Sequence, residues 1–278
     1  MIKLIVDSPS CISEEYALNH NISVVNLNVE LDGVMQKEGF IEDWPDFFER
    51  LKASSSFPKT SLPSPEEFLT LYNETFEKNK NANIIVVTLS SSLSGTVNSA
   101  RIAKDMTSRP DQIFVIDSGA CAQSELLLIE EIVDLIENQN KSASEIAEIA
   151  EELKQKLYID FVPSTVEYLK RGGRMNLLTA ALASVLSIKP ILNFRNGVLT
   201  CTKKCIGMGK ALIELVKGIP QKFKKIYVCY IHESDVLQQL IDKVNKLFNL
   251  NILEGKQIGP IIGSHIGVGA VGIACLEN

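Results

Sequence analysis

Residues 84–96 read Ile84-Ile85-Val86-Val87-Thr88-Leu89-Ser90-Ser91-Ser92-Leu93-Ser94-Gly95-Thr96, an apolar, β-branched run that passes directly into a hydroxyl-rich turn. The run has the composition of a strand buried on both faces. Five of the seven residues from Ser90 to Thr96 carry a hydroxyl. Beyond Gly95, Val97, Ala100, Ala103 and Met106 recur at helical spacing, so the turn brings backbone N–H groups and short side chains together at a helix start. That arrangement suits an anion. No lysine follows Gly95, so the nucleotide loop G-x-x-x-x-G-K-[ST] is not satisfied, and a carboxylate or lone phosphate fits better than a triphosphate. A turn of this composition also serves simply to cap its helix.

The same texture of short apolar runs alternating with amphipathic segments extends outward from this stretch. Strands are expected at residues 2–6, 22–29, 84–89 and 113–116, and helices at 44–52, 66–76, 97–106, 125–137 and 144–156. This is the pattern of a mostly parallel sheet with helices on both faces. Past residue 160 the pattern changes. Segments 188–194 and 198–202 flank Arg195-Asn196-Gly197, a hairpin signal that implies antiparallel pairing, and strands at 225–231 and 270–275 bracket a helix at 235–248. The expected fold is therefore α/β in two domains, a Rossmann-like 1–160 and a mixed 161–278, with the ligand in a cleft between them.

Composition narrows the function. With 28 basic against 34 acidic residues the formal charge is −6, and no dense Lys/Arg block exists, so nucleic acid is not an expected partner. Lys222, Lys224 and Lys225 read as a solvated strand entrance. The opening Met1-Ile2-Lys3-Leu4-Ile5-Val6-Asp7 is too short in its apolar core for a signal peptide, and the mostly apolar stretch 177–188 falls short of a membrane span. A cytoplasmic protein is expected. The six cysteines are scattered and read as reduced thiols, Cys201 and Cys205 lacking the neighbouring His or acid of a metal site.

Three further segments carry more small and polar residues than a turn requires. Asp7-Ser8-Pro9-Ser10 closes the first strand and can be a helix start alone. Pro58-Lys59-Thr60-Ser61-Leu62-Pro63-Ser64-Pro65 presents the hydroxyls of Thr60 and Ser61 from a stiffened backbone, or is a plain rigid linker. Gly259 to Gly269 sets His265 among glycines, a density that implies close backbone approach. His20 reads as a helix-end or exposed residue. No acid or second histidine stands at a spacing that signals a triad or a metal.

Taken in order, I-V-D-S (5–8), P-K-T-S-L-P-S-P (58–65), L-S-S-S-L-S-G-T-V-N-S-A (89–100), V-I-D-S (115–118), Y-L-K-R-G-G-R (168–174), I-K-P-I-L (188–192) and the glycine-rich stretch around His265 resemble the DegV family. The resemblance covers essentially the whole chain. It implies two α/β domains clamping a long-chain fatty acid, with the carboxylate held by Thr60, Ser61, Ser91 and Ser94, by Gly95 at the helix start, and by His265. It further implies a carrier without a cofactor and without activity of its own, which presents its ligand to a separate ATP-dependent fatty acid kinase that makes acyl phosphate. Arg171 or Arg174 would serve the head-group rim or kinase docking, unless they are only the cationic end of a helix capped by Gly172. Tail lining is expected from Leu177, Leu178, Leu182, Val185, Leu186 and Ile261, residues that could equally be ordinary core. The sequence departs from the family pattern at Leu62, where Gln is common, at Val268, where Pro is common, and at Pro9. The alternative is a hydrolase or phosphotransferase acting on a small anion, with a loop serine as nucleophile, His265 as base and Asp7 or Asp117 orienting it.

Overall fold

A computed structural model describes residues 1–139, 141–174, 188–232 and 234–278. The chain begins with β1 (Ile2–Asp7), α1 (Glu14–Asn19), β2 (Ser23–Val25), β3 (Asn28–Leu31), β4 (Val34–Lys37), α2 (Trp44–Ala53) and β5 (Lys59–Ser61). There follow α3 (Pro65–Lys78), β6 (Asn83–Thr88), α4 (Thr96–Met106), β7 (Ile113–Asp117), α5 (Ala122–Asn138) and α6 (Ala143–Leu153). The remainder comprises β8 (Leu157–Val162), α7 (Glu167–Arg171), β9 (Ile188–Arg195), β10 (Val198–Ile206), α8 (Met208–Lys217), β11 (Phe223–Tyr230), α9 (Leu237–Phe248), β12 (Lys256–Gln257), α10 (Pro260–Ile266) and β13 (Val271–Glu277).

The first sheet is parallel, in the order β2-β1-β6-β7. Its strands alternate between two apolar layers, as burial on both faces demands. Ile5, Ile84 and Val86 pack under α3 and α4 with Phe68, Tyr72 and Ala100. Leu4, Val6, Ile85 and Val87 face the other way and share a core with Leu127, Leu128 and Ile132 of α5. That core continues into Ile159 and Phe161 of β8 and Leu192 of β9. Helix α5 is buried without interruption from Ala122 to Ile129 because it lies between two sheets.

The second sheet is mixed, in the order β10-β9-β8-β13-β11-β12, and α8 and α9 cover its outer face through Leu212, Leu215, Leu240 and Val244. The hairpin expected at Arg195-Asn196-Gly197 joins β9 to β10, Asn196 and Gly197 both taking positive φ. β8 straddles residue 161 and pairs with β9 and β13.

Residues 22–29 do not form one strand. The parallel strand ends at Val25, because Asn26 turns its side chain to accept from Gly39 N–H and Leu27 N–H leaves the ladder for Ser8 Oγ. The chain restarts as β3 in a separate antiparallel sheet, β4-β3-β5. Its edge strand β5 is the proline-flanked segment, with Thr60 opposite Val29. A strand edge as well as the prolines therefore holds Thr60.

Candidate functional site

In the first sheet β1 is followed by β2 on one side and by β6 on the other. The carboxyl ends of β1 and β6 thus form a topological switch point, where open α/β sheets leave a crevice. Above it lies a cavity of about 330 Å³ lined by Leu27, Leu89, Leu93 and Ile261 on the apolar side and by Thr60, Ser61, Ser94, Gly95, Arg174 and His265 on the polar side, with Leu62 at its edge. Six of the eight site residues anticipated from sequence are therefore brought together, from four separate segments of chain.

The two left out are Ser91 and Arg171. Ser91 is exposed, and its amide donates to Asp117 Oδ1 (3.1 Å) at the outer side of the turn. Ser90 and Ser92 pair with each other at 3.0 Å and abut Gly197 of the β9–β10 hairpin, so only the last part of the serine cluster faces the cavity. Arg171 ion-pairs with Glu167 one helical turn back (2.6 Å) and stacks over Phe57 at 4.1 Å. The expected tail-lining residues Leu177, Leu178, Leu182, Val185 and Leu186 lie outside the described residues, whereas Ile261 lines the cavity.

Helix α4 starts at Thr96 with Gly95 as its N-cap and no side-chain cap. Asn98 N–H donates to the Gly95 carbonyl at 2.9 Å, but no side-chain oxygen caps the helix, whose start meets the cavity at Gly95 with its partial positive charge. Ser94 Oγ and Thr96 Oγ1 lie 2.9 Å apart, one donating to the other. Arg174 supplies the full charge. It donates to the carbonyls of Gly172 (2.6 Å) and Leu93 (3.0 Å), tying the Y-L-K-R-G-G-R segment to the serine turn. Burial lowers its pKa, but a guanidinium stays charged.

His265 is held by α10. The glycine density around it has the expected cause: a Cβ on Gly263 would lie 2.7 Å from Phe48 Cε1, and one on Gly267, at φ +85°, 2.6 Å from Tyr168 Cδ2. The ring sits with Nε2 2.9 Å from Thr60 Oγ1, and its Nδ1 is buried with no hydrogen-bond partner among the described residues. Burial first, and the Arg174 guanidinium second, push its pKa down to about 4. The ring is thus neutral near pH 7. A proton on Nδ1 would be a buried donor without an acceptor, costing about 1–3 kcal/mol. With its proton on Nε2 the ring donates to Thr60 Oγ1. Thr60 can then direct its own O–H into the cavity.

A histidine base would need an acid on Nδ1. Asp7 and Asp117 are engaged elsewhere, Asp7 with Leu89 N–H and Asp117 with the amides of Ser91 and Gly119. Among the described residues no group of three or more His, Cys, Asp or Glu could hold a metal ion, and no helix is long and apolar enough to cross a membrane. The other two histidines partner acids, His20 with Glu137 and His232, stacked on the buried Phe48, with Glu49. Lys224 and Lys225 likewise pair with Glu131 and Glu130.

Fold and site define a class: an α/β protein with a small polar cavity at a sheet switch point, furnished with neutral hydroxyl donors, one guanidinium and an uncapped helix start. The family model described as "Uncharacterised protein, DegV family" matches residues 1–278, and the chain belongs to the DegV family. It is 31% identical over 281 residues to the DegV domain-containing protein CPE0304 of Clostridium perfringens, covering 98% of each chain. Among solved structures it resembles DegV of Bacillus subtilis, described as a fatty acid binding protein, with 29% identity, TM-score 0.81 and 99% of each chain covered. It also resembles a DegV lipid binding protein from Thermotoga maritima, with 26% identity, TM-score 0.83, and 99% of this chain and 98% of that one covered.

Proposed function

We propose that this protein binds a long-chain fatty acid with its carboxylate in the cavity above the β1–β6 switch point, and presents that carboxylate to a separate ATP-dependent fatty acid kinase for acyl-phosphate formation. The observation that carries the reading is the convergence of Thr60, Ser61, Ser94, Gly95, Arg174 and His265 on one cavity whose opposite wall is leucine and isoleucine. A fatty acid has that same division, an anionic head on a hydrocarbon chain. The solved relatives whose names state fatty acid or lipid binding support it.

The division of labour follows from magnitudes. At about 0.8 kcal/mol per buried methylene, a chain of about fourteen gains roughly 11 kcal/mol before entropy costs. Each hydrogen bond to the charged head contributes about 1.5–3 kcal/mol. The tail therefore supplies most of the affinity, and the polar wall selects a carboxylate and fixes where it points. A neutral His265 suits this role, since its Nε2–H orients Thr60 without adding a second charge beside Arg174.

Mass spectrometry of an organic extract of the purified protein tests binding, with long-chain fatty acid near one equivalent expected. Supplying a cognate kinase and ATP tests presentation, with acyl phosphate formed only when both proteins are present. Absence of fatty acid from the extract, combined with no uptake of added palmitate or oleate, refutes the first part. Acyl phosphate made by the kinase alone at the same rate refutes the second.

A further inference from the structure

We propose that Asp7, Ser8 and Glu38 are positioning residues that tie the walls of the head-group cavity to one buried centre beneath it. The inference rests on the fatty-acid reading above. Leu27, Leu89 and Ile261 line the cavity and come from three distant parts of the chain. Each gives its backbone N–H to this centre. Leu89 donates to Asp7 Oδ2 at 3.0 Å, Leu27 to Ser8 Oγ at 3.1 Å and Ile261 to Glu38 Oε1 at 2.8 Å. Glu38 N–H in turn donates to Leu27 carbonyl at 2.9 Å.

Apart from Arg174, the polar groups of the cavity are linked to one of these amides along the chain or through a strand pairing. Ser94 and Gly95 follow Leu89 along the serine turn, and His265 stands one helical turn beyond Ile261 on the same side of α10. Leu27 immediately precedes β3, which carries β5 and Thr60 in register. A shift at any of the three amides would therefore displace a donor by a comparable distance. Head-group selection depends on donors converging to within a few tenths of an ångström.

The choice of side chains is otherwise costly. Asp7, Ser8 and Glu38 are buried, as is Glu125 behind them. Asp7 Oδ1 and both Glu125 oxygens have no donor among the described residues while the two groups are ionised. Burial, and Asp7 opposite, hold Glu125 well above the usual carboxylate range, so Glu125 keeps its proton and can donate it in a hydrogen bond to Asp7, whose own pKa burial raises to about 7. Asp7 then remains an acceptor for Leu89. A buried amide left without an acceptor would cost about 1–3 kcal/mol, so the three bonds offset part of the burial cost.

The test compares ligands as well as variants. Affinities of delipidated wild-type protein, Glu38→Gln, Glu38→Leu and Ser8→Ala are measured for palmitate and for 1-hexadecanol, which keeps the tail and lacks the carboxylate. Glu38→Leu is expected to lose about tenfold or more for palmitate and less than about threefold for hexadecanol, while Glu38→Gln, which keeps an acceptor for Ile261, stays within about threefold of wild type for both. Ser8→Ala removes one hydroxyl and should lower palmitate affinity selectively even if Glu38→Leu does not fold. Equal losses for both ligands, or no loss in Ser8→Ala, overturn the positioning role and leave the fatty-acid reading standing. Wild-type protein that binds neither ligand overturns the fatty-acid reading itself.

Discussion

Gly172 leaves the room that the His265 ring occupies without itself lining the cavity. A Cβ placed there would stand 2.3 Å from His265 Nδ1 and 3.0 Å from the carbonyl of Tyr168. Its φ of −72° is available to any residue, so Gly172→Ala is a purely steric perturbation. Relief to van der Waals distance requires the ring to retreat by about 1 Å. The ring has nowhere to go along that line, because Nε2 is already 2.9 Å from Thr60 Oγ1. Either His265 swings out of its bond to Thr60, or the end of α7 moves away and carries with it the Gly172 carbonyl that anchors Arg174. The first route forfeits about 0.5–1.5 kcal/mol of hydrogen bond and leaves Thr60 unoriented. Overpacking of either kind costs about 1–3 kcal/mol of stability. We expect palmitate affinity to fall roughly five- to thirtyfold, the equivalent of about 1–2 kcal/mol. Titration calorimetry on delipidated protein reads the affinity, and urea unfolding reads the stability. Gly173→Ala is the control: at φ +74° it strains the backbone, but nothing lies within 4 Å of its Cβ. Gly172→Ala that binds palmitate like wild type while folded, or Gly173→Ala with the same loss of affinity, would refute the wedged-ring argument.

Replacing Thr60 by the near-isosteric Val removes the hydroxyl that His265 orients, and palmitate affinity should drop roughly tenfold to a hundredfold, the range of a hydrogen bond to a charged group; fluorescence displacement with unchanged affinity would dismiss Thr60 as a ligand. Arg174 and Arg171 should separate: Arg174→Gln is expected to lower fatty acid content in extracts, whereas Arg171→Glu should leave content intact and slow kinase-dependent turnover if Arg171 docks the partner, and identical profiles for the two would contradict their different placement. Burial, with Asp7 nearby, raises Glu38 from 4.5 to about 7. Its contribution is thus complete below about pH 4.5, where both folded and unfolded forms are protonated, and is lost as pH rises through about 7, where the folded state must ionise it at a cost. Relative to Glu38→Gln, wild-type stability in urea should therefore decline by up to about 3 kcal/mol between those limits, and a flat difference across pH would exclude the shift.

Much of the fold was legible because local patterns were strong. The alternation of buried β-branched runs with amphipathic helices gave the parallel sheet, and Asn196-Gly197 gave the antiparallel hairpin. The α3 start was legible in Ser64-Pro65, which the structure completes as a reciprocal cap with Glu67. The third sheet was not legible. Residues 22–29 are rich in apolar, β-branched residues throughout, and what divides them is long-range. Leu27 N–H goes to Ser8, nineteen positions earlier, and Asn26 accepts from Gly39. β4 carries the exposed Val34 and Met35 and shows no buried alternation for periodicity to find.

In the site, hydroxyl-rich turns and a glycine-set histidine were visible because they are local and compositionally odd, and the family resemblance assembled them. Two distinctions lay beyond reach. The serines from Ser90 to Ser94 are chemically alike, and only the close approach of Gly197 shows which of them turn away from the cavity. Arg171 and Arg174 sit three apart on one short segment, yet one pairs with its own helix while the other bridges to Leu93, eighty-one positions back. The charge state of His265 is not legible in the sequence for the same reason. Its neighbours in sequence are small and offered no hint of burial, whereas the groups that lower its pKa, the packed cavity wall and Arg174, arrive only through tertiary contact. A cavity assembled from five segments thus advertises its donors in the sequence but not its geometry, because Gly172 abuts the His265 ring and Glu38 and Asp7 bond to the amides of Ile261 and Leu89 only through tertiary contact.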